Sequence, residues 1–316
     1  MARLLTVLCT PRTEGYTASL WRAATDAAAQ VEGVAVDAVC LKDFSLTPCQ
    51  SCYACIRGET HVCSLPDDMG RNGRGRLFAR IAEANALLVV EPVHFWGNTA
   101  TAHIFVERLY PFAWSGRLDG MPFGSISCAG NQGMHHLAAE GLCKWGFTLG
   151  MRYVGGAAAH AADMKGAERE GKQLARKLAR AALRDARGRR TWSELERYRA
   201  YRKSAWDPYR HYLDNLTAGT GGYEESLIAR AEASGRFTDP EAARLLGDAA
   251  KELRACVAAD GAGEEEEALP HLVRAGALWT HATWRQLLEK DVIGAATPSA
   301  YRPLDEDKQP PEGTSG

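Results

Sequence analysis

The chain has 316 residues, of which 46% are hydrophobic and 24% are charged, with a formal net charge of −1 at pH 7. This composition is typical of one large or two modest globular domains and excludes a globally disordered chain. The near-neutral charge argues against a nucleic-acid or anionic-membrane partner. The N-terminal apolar run is too short for a signal peptide, and no stretch approaches the roughly 20 apolar residues of a membrane helix. We therefore expect a cytoplasmic protein.

Residues 4–9 (LLTVLC) predict a buried parallel strand, and an Ala-rich helix follows a short loop. The loop and the start of the helix contain Thr10, Arg12, Tyr16 and Thr17. Backbone N–H groups and the positive end of a helix dipole bind anions at such a position. The loop is therefore a candidate phosphate site, although the same residues also suit a capped helix after a turn.

A second strand, predicted over residues 34–41, leads into a loop with four of the nine cysteines, spaced C-x2-C-x2-C-x7-C. They are Cys49, Cys52, Cys55 and Cys63. Thiolates this close repel one another unless a cation lies among them, and the spacing fits a [4Fe–4S] cluster better than zinc. In a reducing compartment the group indicates metal binding or redox chemistry, not a disulfide framework. Simple packing of small apolar residues is the alternative.

Residues 86–91 (ALLVVE) predict the central core strand. The residues after it form a candidate ledge for a planar ring, namely Pro92, Val93, His94, Phe95, Trp96 and Gly97. Ligands of doubly wound sheets bind at this end of the strands. A hydrophobic loop packed under a helix is the alternative interpretation.

A fourth strand over residues 123–128 is followed by a Gly-rich loop with Gly130 and Asn131, and a helix to about residue 147. A fifth strand is predicted over residues 151–154, before a basic amphipathic helix over residues 166–187. Five strands alternating with helices predict an α/β fold with a flavodoxin-like, doubly wound parallel sheet. All three ligand-like loops would then lie at one edge of the sheet.

After about residue 190 the sequence is rich in aromatic residues and arginine and shows no strand alternation. Helical patterns occur near residues 224–233, 240–259 and 264–290, with Gly-rich junctions. We predict a first domain over residues 1–188, with the four-cysteine loop inserted at 46–70, a helical extension over 189–293, and a disordered tail over 294–316. The extension could cap the site, form a dimer interface or bind a partner.

Three segments carry a family resemblance. The loop T-P-R-x-x-G-Y-T at residues 10–17 resembles the S-P-R-x-x-G-N-T phosphate loop of the NADPH-dependent FMN reductase superfamily. The cysteine block with Asp67-Asp68-Met69 is similar to that of its iron–sulfur flavoprotein branch. P-V-H-F-W-G-N, followed by Glu107-Arg108, resembles the family's P-V-Y segment and its later D-R pair. The resemblance covers roughly residues 1–185.

The resemblance implies a non-covalent FMN whose phosphate lies among Thr10, Arg12, Tyr16 and Thr17. The ring would rest on residues 92–97, with Gly130 and Asn131 on its other side. Two residues depart from the family pattern: Tyr16 replaces the usual Asn, and His94 replaces the usual Tyr. His94 is the candidate catalytic residue, as a proton donor or as a group that tunes the ring. A loop histidine facing solvent is the alternative.

The resemblance implies an FMN-dependent oxidoreductase that passes electrons from NAD(P)H, its co-substrate, to a quinone, nitro, azo or other small organic acceptor. One alternative is one-electron transfer between a [4Fe–4S] cluster and FMN, with a ferredoxin-like protein as electron partner. Another is a thiol-based redox or metal sensor. We also expect a homodimer or homotetramer. The four cysteines are the candidate metal ligands under the cluster alternative.

Overall fold

The computed structural model describes residues 1–293. The predicted disordered tail, residues 294–316, lies outside this range. The described residues form two compact units: Met1–Thr191 with Ser204–Trp206, and Trp192–Lys203 with residues 207–293. The predicted division after residue 188 stays a prediction.

The first unit contains one sheet of five strands, all parallel, in the order β2-β1-β3-β4-β5. The strands are β1 (Ala2–Leu8), β2 (Val34–Cys40), β3 (Ala86–Pro92), β4 (Pro122–Ala129) and β5 (Arg152–His160). This order is that of a flavodoxin-like doubly wound sheet, so the predicted fold class is confirmed. The register brings the carboxyl ends of the strands to one edge, through the pairs Leu8–Cys40, Leu8–Val90, Pro92–Cys128 and Ala129–His160.

Helices cover both faces of the sheet. They are α1 (Tyr16–Ala29), α2 (Ala54–Arg57), α3 (Arg76–Ala82), α4 (Ala100–Glu107), α5 (Tyr110–Trp114), α6 (His135–Thr148) and α7 (Met164–Asp185). Side chains alternate along each strand, so Leu4 and Leu88 pack with α1 and α7, while Leu5 and Leu87 pack with α3, α4 and α6. Because both faces are covered, β1 and β3 appear in the sequence as nearly continuous apolar runs.

The sequence-based bounds differ most from the structure at the fifth strand and the last helix. The fifth strand, predicted to end at residue 154, continues to His160. The sequence patterns predict none of the helices α2, α3, α4 and α5. The helix predicted over 264–290 ends at Thr283 and continues as a π-helix, Trp284–Ile293.

The second unit is helical in its described part. It contains α8 (Glu194–Tyr201), α9 (Pro208–Leu216), α10 (Leu227–Ser234), α11 (Pro240–Gly261) and α12 (Glu265–Thr283). Glu265, Glu266 and Glu267 form the first turn of α12, where Arg202 Nη1 donates a hydrogen bond to Glu266 at 2.7 Å. Acidic side chains stabilise this end of a helix because the helix dipole is positive there. Within residues 1–293, no helix has the length and apolar character needed to span a membrane.

Candidate functional site

The loop between β1 and α1 presents an anion-binding arrangement. Helix α1 starts after Gly15, which has φ 103°, and no side chain caps its first amides. The Arg12 guanidinium lies close to this helix end, since a Cβ added to Gly15 would be 3.6 Å from Arg12 Nη2. The hydroxyl of buried Thr10 accepts a hydrogen bond from the Arg12 backbone N–H at 3.3 Å. Free amides and a cation together suit a phosphate group.

The two other predicted phosphate contacts lie at the start of α1. Tyr16 is exposed, and Thr17 is half-buried and hydrogen-bonds the Cys128 thiol at the end of β4. Burial raises the pKa of that thiol despite this bond. Thr17 therefore links the start of α1 to the end of β4.

A tight turn follows β3. His94 and Gly97 exchange both backbone hydrogen bonds, at 3.1 and 3.0 Å. The residues between them, Phe95 and Trp96, have φ values of 48° and 62°. Two positive φ values define a hairpin turn that favours Asn and Gly, and each bulky residue there costs on the order of 1 kcal/mol. Strain of this kind persists mainly at functional sites.

A cavity of about 240 Å³ lies between this turn and the loop after β4. Its lining residues are Val93, Phe95, Trp96, Ala129, Gly130, Asn131, Gln132 and Gly133. The Trp96 indole Nε1 donates a hydrogen bond to Gln132 Oε1 at 3.2 Å and joins the two walls. The space beside Gly130 is open, because a Cβ there would meet no atom within 4 Å.

Five of the residues predicted to contact the flavin ring line this cavity: Val93, Phe95, Trp96, Gly130 and Asn131. Pro92, His94 and Gly97 do not line it, and His94 is exposed on the turn. An open cavity with largely apolar walls, at the same sheet edge as an uncapped helix end and a guanidinium, fits a planar ring bearing a phosphate. The residues present therefore fit FMN.

A buried carboxylate that sequence reasoning missed holds the turn in place. Glu91 is fully buried, and its carboxylate accepts hydrogen bonds from the Asn98 side chain and from the Thr99 backbone N–H, the latter at 2.9 Å. Burial outweighs these bonds and raises the pKa of Glu91 to about 7. The Thr99 hydroxyl also contacts the Cys9 carbonyl oxygen at 3.2 Å, and Asn98 Nδ2 donates to the Ala138 carbonyl oxygen at 2.7 Å. The sequence feature that could have indicated this residue is an acidic side chain inside an otherwise apolar strand.

Histidines support the opposite wall. His160 Nδ1 accepts a hydrogen bond from the Ala162 N–H at 3.1 Å, so we assign the ring proton to Nε2, which donates to the Asn131 carbonyl oxygen at 2.6 Å. The His135 ring lies 5.5 Å from His160 and 4.5 Å from His136. Burial and these two neighbours lower the pKa of His135. The loop that lines the cavity is thus held by β5.

The four candidate metal ligands share one loop. Cys49 and Cys52 are exposed, Cys55 is half-buried and Cys63 is buried. Burial, with smaller contributions from Cys63, Cys49 and Cys52, raises the pKa of Cys55 to about 12. Across residues 1–293, however, no three His, Cys, Asp or Glu side chains are placed to hold a metal ion. This arrangement does not fit a cluster or a zinc ion, and the metal site stays a prediction.

A buried ion pair lies beneath the cysteine loop. The side chains of Arg108 and Asp67 are 1% and 3% exposed, and Arg108 Nη2 donates to Asp67 Oδ1 at 2.8 Å. Arg108 also donates to Cys63 Sγ at 3.2 Å and to the Thr47 carbonyl oxygen at 2.7 Å. Burial alone would raise the pKa of Asp67, but the hydrogen bonds from Arg108 and Thr47 lower it to about 2. Two segments that carried the family resemblance therefore meet here.

The fold and the site define a flavodoxin-like flavoprotein, because a parallel sheet carries an anion loop and a ring-sized cavity at the same edge. The model of the NADPH-dependent FMN reductase family matches residues 2–164, just over half of the chain. The chain belongs to this family and is an FMN-dependent NAD(P)H oxidoreductase. The family resemblance seen in the sequence is thereby confirmed. The second unit lies outside the matched residues.

Several solved structures are similar to part of the chain. RosB with a bound intermediate has 17% identity and a TM-score of 0.44, covering 60% of this chain and 82% of its own. The apo form of the NADH:FMN oxidoreductase EMOB has 16% identity and a TM-score of 0.43, with coverages of 58% and 90%. An oxidoreductase from Corynebacterium diphtheriae has 18% identity and a TM-score of 0.42, with coverages of 58% and 98%. No curated protein sequence matches the chain.

Proposed function

We propose that this oxidoreductase transfers electrons from NAD(P)H to a small planar organic acceptor, such as a quinone, nitro or azo compound. The observation that supports this function is the cavity of about 240 Å³ between the 94–97 turn and the loop after β4. Its position at the carboxyl edge of the sheet, the same edge as the β1–α1 loop, suits a flavin ring in the cavity with the acceptor stacked on the open side of that ring.

The chain's own residues would bind and orient FMN. The amides at the start of α1 and the side chains of Thr10, Arg12, Tyr16 and Thr17 would hold its phosphate. The ring would contact Val93, Phe95, Trp96, Gly130 and Asn131, which line the cavity. Pro92, His94 and Gly97 are further expected contacts on the same turn. When bound, FMN supplies hydride acceptance from the nicotinamide and the return of electrons singly or in pairs.

The first experiment compares the affinity of the protein for FMN and for riboflavin, which lacks the phosphate, by flavin fluorescence. We expect FMN to bind more tightly, and Arg12→Gln to reduce that preference by roughly tenfold or more, because a charge-assisted hydrogen bond is lost. Arg169→Gln is the matched control, since Arg169 is an exposed arginine on α7. Equal affinity of the unaltered protein for FMN and riboflavin would contradict the proposed phosphate site.

The second experiment concerns turnover and His94. NAD(P)H oxidation by the FMN-loaded protein is measured with quinone, nitro and azo acceptors. If His94 donates a proton, His94→Gln lowers turnover while FMN affinity is kept. Unchanged turnover would mean that His94 is only a loop residue.

The four-cysteine loop motivates a second proposal, a [4Fe–4S] cluster or zinc site that handles single electrons with a ferredoxin-like partner. The C-x2-C-x2-C-x7-C spacing of its four cysteines is the observation that supports it. Because the described side chains do not form a ligand set, no step is assigned to this group. Iron, sulfide and zinc assays on protein purified without oxygen test it, and absence of all three would reject it. A thiol sensor instead predicts a change in the proposed homodimer or homotetramer upon oxidation.

A further inference from the structure

The buried carboxylate of Glu91, in β3 just before the 94–97 turn, has only neutral hydrogen-bond partners. Its donors are the Asn98 side-chain amide, the Thr99 backbone N–H at 2.9 Å and the Thr99 hydroxyl at 3.2 Å. Among residues 1–293, no arginine, lysine or histidine forms an ion pair with it. A buried carboxylate without a cationic partner is costly, and binding a proton is the available way to remove its charge.

The elements around Glu91 present few groups that titrate. The register of the sheet places Cys9 of the β1 end and Ser127 of β4 beside it, on the same face. Helix α4 presents the Thr99 hydroxyl at its N-terminus, helix α6 presents a backbone carbonyl, and the turn carries His94, which is exposed. Burial, followed by the charge of Glu91, raises the pKa of Cys9, so this thiol stays protonated at neutral pH. Glu91 is therefore the buried group of this set that can exchange a proton near neutrality.

The hydroxyl of Thr99 provides the carboxyl group with a partner in either protonation state. Thr99 Oγ1 lies 3.2 Å from Glu91 Oε2 and 3.2 Å from the Cys9 carbonyl oxygen, and it accepts a hydrogen bond from the Ala102 N–H at 3.1 Å. A hydroxyl donates one hydrogen and accepts at two lone pairs. When Glu91 is ionised, Thr99 donates to it. When Glu91 is protonated, the carboxyl group donates to Thr99, which then donates to the Cys9 carbonyl oxygen. A proton on Glu91 therefore leaves no buried donor without an acceptor.

Glu91 lies close to the cavity proposed for the FMN ring. Val93, which lines that cavity, follows Glu91 by two residues, so their backbones are at most about 7 Å apart. None of the residues that line the cavity has an ionisable side chain. A negative charge on the ring would therefore act on Glu91, and a like charge raises the pKa of a carboxyl group. Burial has already brought that pKa to about 7, where a further rise changes the protonation of Glu91.

We propose that Glu91 binds one proton from solvent when FMN accepts a hydride from NAD(P)H, and releases it when FMN is reoxidised. The hydride brings two electrons and one negative charge to the site, and the proton neutralises one carboxylate, so the net charge of the site does not change. On reoxidation a hydride passes to the acceptor and the proton on Glu91 returns to solvent, from which the reduced acceptor takes its own proton. This inference rests on the proposed function, since it requires the ring to lie in this cavity.

The test is infrared difference spectroscopy of the FMN-loaded full chain, reduced and reoxidised electrochemically without NAD(P)H or acceptor. A unit charge about 12 Å away raises the pKa of a carboxyl group by about one unit at an effective dielectric constant of about 20. At about pH 7.5 such a rise adds roughly half a proton to Glu91 for each FMN reduced. We therefore expect the carbonyl band of a protonated carboxyl group to appear on reduction and to disappear on reoxidation.

Variants assign this band to one residue. Glu91→Gln should lack it, whereas Glu170→Gln, an exposed glutamate of α7, is the matched control and should keep it. The midpoint potential of FMN, measured against pH in the same cell, reports the number of protons bound per FMN reduced. That number should be smaller in Glu91→Gln by roughly half a proton at about pH 7.5. If Glu91→Gln does not fold, Glu91→Asp takes its place and should shift the frequency of the band.

Two results would overturn the inference. The first is an unaltered protein that gains no carboxyl band on reduction, and the second is a band that the Glu91 variant keeps unchanged. Proton binding by a histidine of the opposite wall, such as His160, would alter the midpoint potential without a carboxyl band, and it would also count against Glu91. If FMN binds and is reduced but no band appears, only this inference fails, whereas failure to bind FMN removes the proposed function as well.

Discussion

The buried carboxyl of Glu91 is expected to make the stability of the protein depend on pH near neutrality. Burial raises its pKa from the ordinary 4.5 to about 7 in the folded protein. Between these values the folded chain binds more protons than the unfolded chain, so stability falls as pH rises. The contribution is fully present below pH 4.5 and is lost as the pH passes through about 7.

The expected magnitude follows from the two pKa values. A rise from 4.5 to about 7 corresponds to about 3 kcal/mol of stability lost once the carboxyl ionises. Glu91→Gln stays neutral, keeps a carbonyl acceptor for Thr99 and removes this loss. The free energy of unfolding of the variant, relative to that of the unaltered protein, should therefore be about 2–3 kcal/mol higher at about pH 8.5 than at about pH 5.

Urea unfolding of the full chain at both pH values measures this difference. Glu170→Gln, an exposed glutamate of α7, is the control and should show no such pH-dependent gain. If the free-energy difference between Glu91→Gln and the unaltered protein is the same at both pH values, Glu91 does not titrate near neutrality and the reasoning from burial is wrong.

Three further changes test contacts around the site. Arg108→Met should destabilise the protein by about 3–5 kcal/mol in urea unfolding, because the buried Asp67 carboxylate loses its partner; a loss under about 1 kcal/mol would contradict this. Gly141→Ala should destabilise the protein, because the added Cβ would lie 2.0 Å from Asn98 Oδ1. Gly247→Ala in α11 should stabilise it by about 0.5–1 kcal/mol, because no atom lies within 4 Å of the added Cβ. Shifts of the melting temperature with the same sign in both variants would refute the clash at Gly141. Replacing the two aromatic residues of the 94–97 turn with Asn-Gly should relieve about 1 kcal/mol of backbone strain at each position and lose about 1 kcal/mol with the Trp96–Gln132 hydrogen bond. The net gain in stability should therefore be about 1 kcal/mol, with weaker ligand binding, and an unchanged melting temperature would show that the turn is not strained.

The strands could be predicted because buried parallel strands leave long apolar runs, as ALLVVE does for β3. The fifth strand shows the limit of this signal. Its second half, residues 155–160 (GGAAAH), consists mostly of small residues with weak strand preference and is held extended by pairing with β4. That pairing depends on residues about 30 positions away, which local sequence cannot report.

The site was predictable to the level of loops, because parallel strands bring their carboxyl ends together. Its internal contacts were not. The positive φ values of Phe95 and Trp96 oppose the intrinsic preference of both residues. The contact of Asn98 with Ala138 joins segments 40 residues apart. Sequence patterns indicate where such loops lie, whereas the hydrogen bonds that hold them in place form only in the folded chain.

The strand order has a consequence for synthesis of the protein. Strand β1 lies between β2 and β3, and β3 begins at Ala86, about 80 residues after β1 ends. At roughly 5–20 residues per second, the ribosome needs on the order of 4–16 seconds to supply that partner. During this interval one edge of an apolar strand has no neighbour, and unpaired strand edges promote aggregation. Slower growth at low temperature and chaperones that shield apolar segments should therefore increase the yield of folded chain.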